Sequence, residues 1–109
     1  MSEMREMLYT LDGHEPVEVT DVIEWARWFQ DHNEERVVAY TCLGSLRVST
    51  VFLAVNYSYL PGGVPILFET MVFSESDIED MRRYATWEQA EIGHAMVVSL
   101  LETIETAPT

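Results

Sequence analysis

The sequence predicts a single α+β domain, residues 1–109, in which an antiparallel sheet of three to five strands combines with two helices. Two segments carry apolar residues at helical spacing, and three others are rich in β-branched and aromatic residues. The chain of 109 residues suits one domain, and no internal repeat or low-complexity tract divides it.

The N-terminal third contains an apolar stretch and the first predicted helix. Residues 7–11 are mostly apolar and end in an Asp-Gly turn signal. Asp21 then has Glu24 three residues later, which is the spacing of a capping box. Apolar residues recur at helical spacing behind this pair, so we expect an amphipathic helix over residues 21–32.

The middle of the chain contains the predicted sheet. Residues 37–43 and 46–56 are separated by two residues, the first of which is Gly44, and a glycine there predicts a tight type II′ hairpin. A loop of turn-forming residues, 57–65, precedes a third strand over residues 66–73. The first two strands therefore pair antiparallel, and the third extends the same sheet.

Both faces of the second and third predicted strands carry apolar residues. In the second strand, Val48 and Phe52 fall on one face, while Val51 and Leu53 fall on the other. A sheet that is apolar on both faces is covered on both faces. Because two helices cover one face, we expect a second copy of the chain on the other face or at a sheet edge, in a homodimer or higher oligomer.

The C-terminal third is predicted to form an acidic loop, a short strand and a long helix. Residues 74–80 are rich in acids and are expected to be solvated, and residues 82–85 are expected to form a short strand. Thr86 and Gln89 have the spacing of a second capping box. The residues that mark the apolar face of the following helix are Trp87, Ala90, His94, Val97, Leu101 and Ile104.

The charge of the chain restricts its partners. Nineteen acidic residues against six basic ones give a formal net charge of −13, and all six basic residues are arginine. This composition lacks the basic face that duplex nucleic acid or an anionic membrane requires. Two kinds of partner remain: a basic protein, or a small anion held in one local pocket. Solubility alone also explains the charge.

Cysteine usage and the N-terminal residues predict a cytoplasmic protein. Cys42 is the only cysteine, so no disulfide forms within the chain, and we expect it to be a small buried hydrophobe. The N-terminus is acidic and resembles no signal peptide, and no run approaches the roughly 20 apolar residues of a membrane span. His14 and His32 match no zinc spacing, so neither a metal nor another cofactor is predicted.

The most informative local pattern is the alternation of Arg82, Tyr84 and Thr86. Alternate residues of an extended segment share a face, and this segment leads into a helix N-terminus, which favours an anion. A guanidinium binds phosphate bidentately and a ring stacks on a base, so the pattern predicts a nucleotide or phosphate contact. In the alternative, Thr86 only caps the helix, Tyr84 packs, and Arg82 pairs with one of the acids at residues 77–80.

Two further polar side chains interrupt apolar patterns. Glu69 lies inside the predicted strand 66–73, where a carboxylate is costly unless it is paired or hydrogen-bonded. It is a candidate base or ligand acceptor; alternatively, it faces solvent or pairs with an arginine such as Arg47. His94 is expected to be a core histidine with one satisfied nitrogen. A hydrolase that uses Glu69 and His94 ranks last among the functions considered, so no catalytic residue is assigned.

The loop that follows the second predicted strand combines tyrosines with glycines. Tyr59 offers stacking area and the glycines allow movement, which suits a lid over residues 57–63 that closes on a ligand. The same composition suits an ordinary hairpin connection. The candidate ligand-binding residues are therefore Arg82, Tyr84, Thr86, Glu69, Arg47 and Tyr59.

Several blocks of the sequence resemble a family of small proteins encoded in bacteriophage and prophage genomes. The most specific are Phe-Glu-Thr-Met-Val-Phe at residues 68–73 and the block at residues 83–94. The resemblance also includes residues 11–14, 25–29 and 48–53, so it spans nearly the whole chain. It implies a phage origin and no particular mechanism, because the family has no assigned function.

Small phage proteins that are not structural often blunt host defence, and this expectation ranks the functions. The leading hypothesis is a non-enzymatic homo-oligomer that binds and sequesters a small nucleotide immune signal, either a cyclic oligonucleotide or an NAD-derived one. Arg82, Tyr84 and Thr86 would read phosphate and base, and Glu69 would accept a base or ribose hydrogen bond. The alternative is an acidic inhibitor that binds a basic protein of a host defence complex as a nucleic-acid mimic, with no small-molecule site.

Overall fold

A computed structural model describes residues 7–58 and 62–106, with side chains described as far as residue 104. Within these residues the chain forms two helices and two antiparallel sheets, so the predicted α+β class is confirmed. The elements are, in chain order, β1 (Leu8–Asp12), β2 (Glu15–Val19), α1 (Val22–Asp31), β3 (Val37–Leu43), β4 (Leu46–Phe52), β5 (Phe68–Phe73), β6 (Ile78–Tyr84) and α2 (Trp87–Thr106).

The larger sheet is an antiparallel meander in the order β3-β4-β5-β6. Its first turn is as tight as the sequence predicts, because Leu43 pairs directly with Leu46. Gly44, the first of the two turn residues, has a φ of 59°, a conformation that a residue with a side chain rarely adopts. The turn therefore sets the register of the β3–β4 hairpin, the first two strands of the larger sheet.

The two faces of this sheet differ in what covers them. Alternate residues of β4 and β5 are buried beneath α2, where Val97 packs against Val48 of β4 and Val72 of β5. We call this the helix-covered face. The opposite face, which includes Tyr40 of β3 and Met81 of β6, keeps those two side chains about half exposed. We call it the open face.

The hairpin β1–β2 and helix α1 pack beside one end of the sheet. Asp21 caps α1, since its Oδ1 accepts hydrogen bonds from the backbone N–H groups of Ile23 at 2.9 Å and Glu24 at 3.2 Å. Trp25 Nε1 donates to two backbone carbonyls, at 3.1 Å to Tyr9 of β1 and at 3.0 Å to Ala54 beyond β4. One indole group thus joins the helix to both sheets.

An aromatic cluster forms the core where these parts meet. Phe52 and Phe68 are fully buried on paired positions of β4 and β5, with ring centroids 5.3 Å apart. Trp28 of α1 meets the edge of Phe52 at 6.0 Å, and Trp87 of α2 meets Phe68 at 6.0 Å. Both helices therefore bury aromatic surface on the same side of the sheet.

Several element boundaries differ from the sequence-based expectation. β4 ends at Phe52 rather than at residue 56, because Ala54 has a φ of 65° and turns the chain out of the strand. β5 begins at Phe68 rather than at residue 66. β6 begins at Ile78, so the acidic residues 79 and 80 belong to a strand and not to a solvated loop. An edge strand tolerates such charges because its outer side faces water.

Two further expectations need correction. Residues 8–19 form a hairpin, which the short apolar stretch did not identify as a pair of strands. Cys42 is exposed on the open face instead of buried, because it pairs with Arg47 across the hairpin and alternates with residues of the helix-covered face. Neither helix in the described part of the chain is long and apolar enough to cross a membrane.

Candidate functional site

Arg82 lies on the helix-covered side of the edge strand β6 and is engaged by a neighbour. Its Nε donates to Oδ2 of Asp80 at 2.9 Å, and both side chains are about half exposed. Residues two apart in a strand share a face, so this pair is local. The arrangement matches the alternative in which Arg82 pairs with a nearby acid, and the worth of such an exposed pair is only about 0–1 kcal/mol.

Tyr84 and Thr86 take up structural positions between β6 and α2. The Tyr84 ring lies against Gly93 of α2, and its hydroxyl is buried with no hydrogen-bond partner among the described residues. Thr86 Oγ1 accepts from the Gln89 N–H at 3.1 Å, and Gln89 Oε1 accepts from the Ala85 N–H at 3.0 Å. Thr86 and Gln89 therefore close the predicted capping arrangement, and the Thr86 oxygen is used by its own helix.

Glu69 points to the opposite side of the sheet. It is buried, and its Oε2 accepts from Arg83 Nε at 3.0 Å. The Arg83 guanidinium also lies over the ring of Tyr57, 4.7 Å from its centroid. The guanidinium therefore forms a favourable ion pair with the carboxylate and a favourable cation–π contact with the ring. The partner of Glu69 is therefore Arg83, not Arg47, and sequence reasoning named neither Arg83 nor Tyr57 for this cluster.

Arg47 is also on the open face, but at some distance from Glu69. It pairs with Phe73 across the sheet, four residues along β5 from Glu69, which is about 13 Å at the strand rise. Its Nη1 makes long hydrogen bonds to the backbone oxygens of Gly44 at 3.4 Å and Leu46 at 3.5 Å. Arg47 therefore braces the hairpin turn.

The six predicted ligand-binding residues thus do not converge. Arg82 and Tyr84 belong to the helix-covered side, Glu69 and Arg47 belong to the open face, and Thr86 caps α2. Tyr59 lies outside the described residues. Adjacent strand residues point to opposite faces, which is why Arg82 and Arg83 cannot line one pocket.

His94 is the centre of a buried polar chain beneath α2. Its Nε2 lies 2.9 Å from Thr41 Oγ1, and its Nδ1 lies 2.7 Å from Thr50 Oγ1. Thr50 Oγ1 is in turn 2.6 Å from Thr70 Oγ1, and both of these threonines are fully buried. Both imidazole nitrogens are therefore satisfied, one more than the sequence predicted.

The proton positions in this chain follow from counting donors. If Thr70 donates to Thr50, and Thr50 donates to Nδ1 of His94, the Nε2 proton is free to reach Thr41. Thr41 is only half-buried, so its own hydroxyl hydrogen has access to water. In the reverse direction the hydrogen of the fully buried Thr70 hydroxyl would need an acceptor that the described residues do not supply. Burial also lowers the pKa of His94, which keeps the ring neutral.

The same geometry separates Glu69 from His94. Glu69 lies on the open face, whereas His94 contacts Thr41 and Thr50 on the helix-covered face. Two groups that act on one substrate must both reach it. The sheet lies between Glu69 and His94, so the two side chains do not face a common site.

A large apolar surface lies on the outer side of α2, and sequence reasoning did not identify it. Its members follow one another at intervals of four and are half exposed or more: Ile92 (65%), Met96 (55%), Leu100 (50%) and Ile104 (71%). We call these four residues the outer stripe. Side chains four apart form a ridge on a helix, so α2 carries an exposed apolar ridge in addition to the side chains that pack on the sheet. Ile104 was predicted to mark the core-facing side, and this is wrong, because α2 extends about two turns beyond Val97, the last buried residue in its described part. In the sequence the ridge is the Ile-Met-Leu-Ile repeat at intervals of four.

A groove of about 510 Å³ runs beside the outer stripe, between α2 and β6. Leu46 and Val72 contribute apolar side chains from the sheet, and Leu100 and Ile104 of the outer stripe form the helical wall. Glu79, Asp80 and Arg82 line the opposite side. We call this the α2–β6 groove.

Carboxylates border the outer stripe on the groove side. Glu79 and Asp80 line the groove there. At 100° per residue, the exposed Glu88 also lies beside the stripe, one turn before Ile92. The surface is therefore an apolar ridge with an acidic margin along the groove and one further carboxylate at its N-terminal end.

The described residues include no cluster of three or more His, Cys, Asp and Glu side chains that could hold a metal ion. No protein-family model matches the chain, and comparisons with curated proteins and with solved structures found no match either. The resemblance to phage-encoded proteins therefore stays a prediction.

Proposed function

We propose that this protein is a non-enzymatic, acidic protein-binding inhibitor that occupies a basic surface of a partner protein. One observation carries the proposal: every described Asp and Glu is exposed except Glu69. Two ion pairs with arginine, at Asp80 and at Glu69, join residues within the described part of the chain. Because the formal net charge of −13 already subtracts all six arginines, these pairs do not reduce it, and the exposed carboxylates leave the surface strongly negative.

Such a surface attracts a basic partner from a distance. Summed charges steer association and raise the association rate, and the effect weakens as salt screens exposed charges over about 10 Å at 0.1 M. The resemblance to phage-encoded proteins adds the setting that we propose, a host defence complex in the cytoplasm of an infected cell. In that setting, the inhibitor takes the place that nucleic acid would occupy on the basic protein.

Nucleotide sequestration is the second candidate, and the Arg83 cluster is the observation that favours it. Glu69 engages Arg83 through Nε, and the two terminal nitrogens of the guanidinium have no acceptor among the described residues. Tyr57 is 43% exposed and holds the guanidinium over its ring. A phosphate could approach those nitrogens, but Glu69 already offsets the charge of Arg83, which is why we rank this function second.

We also propose that the protein is a homodimer in which two open faces meet. Tyr40 and Met81 leave apolar surface on this face, its strands carry Arg47 and the Arg83–Glu69 pair, and Asp77 borders one end of it. The strand surface of the open face therefore offers a second copy less repulsion than the acidic surface elsewhere. Light scattering at micromolar concentration should give about twice 12.6 kDa, and Tyr40→Glu should return it to 12.6 kDa. A parent protein that is monomeric throughout would end this proposal.

The two candidate functions are separated by one pair of measurements. The first is calorimetry of the parent and of Arg83→Ala against cyclic dinucleotides and ADP-ribose derivatives. The second is affinity purification of a partner from phage-sensitive cells, followed by titration of the purified partner at several salt concentrations. We expect no nucleotide to bind more tightly than about 1 mM, and partner affinity to fall steeply with salt. Micromolar nucleotide binding that Arg83→Ala removes, with no salt-sensitive partner, would reverse the ranking.

A further inference from the structure

We propose that the α2–β6 groove and the outer stripe together bind a basic amphipathic helix of a partner protein. This inference rests on the proposed function and specifies both the docking surface and the chemistry of what docks there. It follows from the shape of the surface, from its apolar content and from the charges that border it.

The first step is that α2 carries more apolar surface than the sheet uses. Its core-facing side chains include Ala90, His94 and Val97, which are buried against the strands. The outer stripe turns around the helix by about 40° per member, from opposite Ala90 at Ile92 to beside Val97 at Ile104, and each member is at least half exposed. A surface helix of a globular protein ordinarily buries its apolar side chains on one side, so an exposed ridge of four marks a contact surface.

The second step is that the surface has the dimensions of a helix-binding site. From Ile92 to Ile104 the outer stripe is about 18 Å long, or a little over three helical turns. A ridge of residues four apart interdigitates with the same kind of ridge on a second helix. The adjacent groove provides the matching depression, with Leu46 and Val72 in its apolar lining. Amphipathic helices are bound in grooves of this kind.

The third step is that the margins select the charge of the occupant. Glu79 and Asp80 border the groove, and Glu88 lies beside the N-terminal end of the outer stripe. Arg82, the arginine that lines the groove, is already paired with Asp80. A helix with an apolar face and Lys or Arg beside that face therefore complements the surface in both respects.

The same margins disfavour a second copy of this chain. If two α2 helices met antiparallel through their outer stripes, Glu88 of one copy would approach the margin formed by Glu79 and Asp80 of the other. Like charges brought together across an interface oppose association. The strands of the open face instead present Arg47 and the Arg83–Glu69 pair to a second copy, so the two surfaces serve different partners.

The probe for this inference is a synthetic peptide of about 18 residues, long enough to form a helix, with leucine on one face and lysine on both flanks. A fluorescein label allows its binding to be followed by anisotropy. A peptide of the same composition in scrambled order keeps the charge and loses the apolar face. A third peptide, with glutamate in place of lysine, keeps the apolar face and reverses the charge.

Two variants of the full chain locate the binding. Leu100→Asp places a charge in the groove wall, and Ile23→Asp places the same charge at an exposed apolar position of α1, so the net charge of the two variants is matched. Glu79→Gln removes a margin charge, and Glu24→Gln removes an exposed charge elsewhere. Circular dichroism verifies that all four variants fold.

We expect the leucine–lysine peptide to bind at roughly 1–10 μM in low salt, and Leu100→Asp to weaken it by at least roughly 10-fold while Ile23→Asp changes it by less than about 2-fold. Glu79→Gln should weaken binding about 2- to 5-fold, Glu24→Gln should have less effect, and the other two peptides should bind at least roughly 10-fold more weakly. Equal binding of the scrambled peptide, or equal effects of Leu100→Asp and Ile23→Asp, would overturn the inference.

Two outcomes separate this inference from the proposed dimer and from the proposed function. If Leu100→Asp converts a dimer to a monomer in light scattering, the groove is an interface between copies and the inference is wrong. If the peptide fails to bind while a purified basic partner still binds with steep salt dependence, the groove is not the docking surface, although the proposed function stands. If the peptide binds in the groove but no basic partner with salt-dependent affinity is found, the docking surface stands and the proposed function is wrong.

Discussion

Thr50 Oγ1 lies 2.7 Å from Nδ1 of His94, in the fully buried layer between β4 and α2. This contact joins a helix residue to a strand residue 44 positions earlier in the chain. Because the interior offers no water in exchange, the buried side chains of Thr50, Thr70 and His94 depend on their hydrogen bonds to one another.

Replacing Thr50 with valine should therefore cost more than replacing Thr41. Valine keeps the volume of Thr50 but leaves His94 Nδ1 without a partner, so we expect Thr50→Val to reduce the free energy of unfolding by about 1–3 kcal/mol. Thr41 is half-buried, and water can take its place, so Thr41→Val should cost less than about 1 kcal/mol. Urea denaturation measures both. Equal losses would mean that Nδ1 does not depend on Thr50.

The lowered pKa of His94 predicts a loss of stability in mild acid. The unfolded chain has a histidine pKa of about 6.5, whereas burial lowers the pKa of His94 in the folded chain. Below about pH 6.5 the unfolded chain therefore binds the proton first, and the free energy of unfolding falls by up to about 1.4 kcal/mol per pH unit until the folded pKa is reached. Above pH 7 this contribution is constant.

Comparing the parent with His94→Gln cancels the pH dependence that the two proteins share. The measurement is therefore the difference between the parent and His94→Gln in urea denaturation at pH values from 7.5 to 5 (about half a unit apart). The advantage of the parent should shrink as the pH falls. Parallel curves for the two proteins would contradict the role that we assign to His94.

Gly93→Ala should destabilise the protein, although alanine is ordinarily about 1 kcal/mol better than glycine inside a helix. The reason is that a Cβ at position 93 would overlap the Tyr84 ring. Forcing an atom into such a contact typically costs about 1–3 kcal/mol. Thermal unfolding monitors the change, and Ser99→Ala on the exposed side of α2 provides the control, with an effect near zero. A rise in melting temperature for Gly93→Ala would show that Tyr84 is free to move away.

Trp87→Ala should reduce the free energy of unfolding by about 3–5 kcal/mol, as aromatic truncations in a core do. Trp87 is 7% exposed, stacks on His14 at a centroid distance of 3.8 Å and meets the edge of Phe68. Its Nε1 has no hydrogen-bond partner among the described residues, so Trp87→Phe loses no hydrogen bond and should cost less than about 2 kcal/mol. An unchanged melting temperature for Trp87→Ala would make this residue a candidate partner contact.

Features that depend on a few neighbouring residues were predictable. Asp21 and Thr86 cap their helices as the three-residue spacings indicate, and Gly44 turns the first hairpin of the larger sheet. In each case the donor, the acceptor and the turn lie within five residues. These local contacts therefore depend little on the rest of the fold.

Features that depend on strand register were not predictable. The ion pair of Glu69 forms with Arg83 because those two residues are opposite each other in β5 and β6. This pairing depends on a register shift between Val72 and Phe73. Sequence spacing does not reveal that shift. From the sequence alone, Arg47 was therefore an equally reasonable partner for Glu69, and the candidate ligand-binding residues were drawn from both faces of one sheet.

By itself, the sequence determined the α+β class, the helix starts, the tight hairpin and the acidic charge, because each is a property of composition or of a short local pattern. Only the tertiary structure decided that Glu69 pairs with Arg83 and not with Arg47, that His94 satisfies both of its nitrogens, and that the outer stripe of α2 stays uncovered. The physical reason is the same for all three. Which side of a strand or helix meets water depends on what packs against it, and that partner comes from a distant part of the chain.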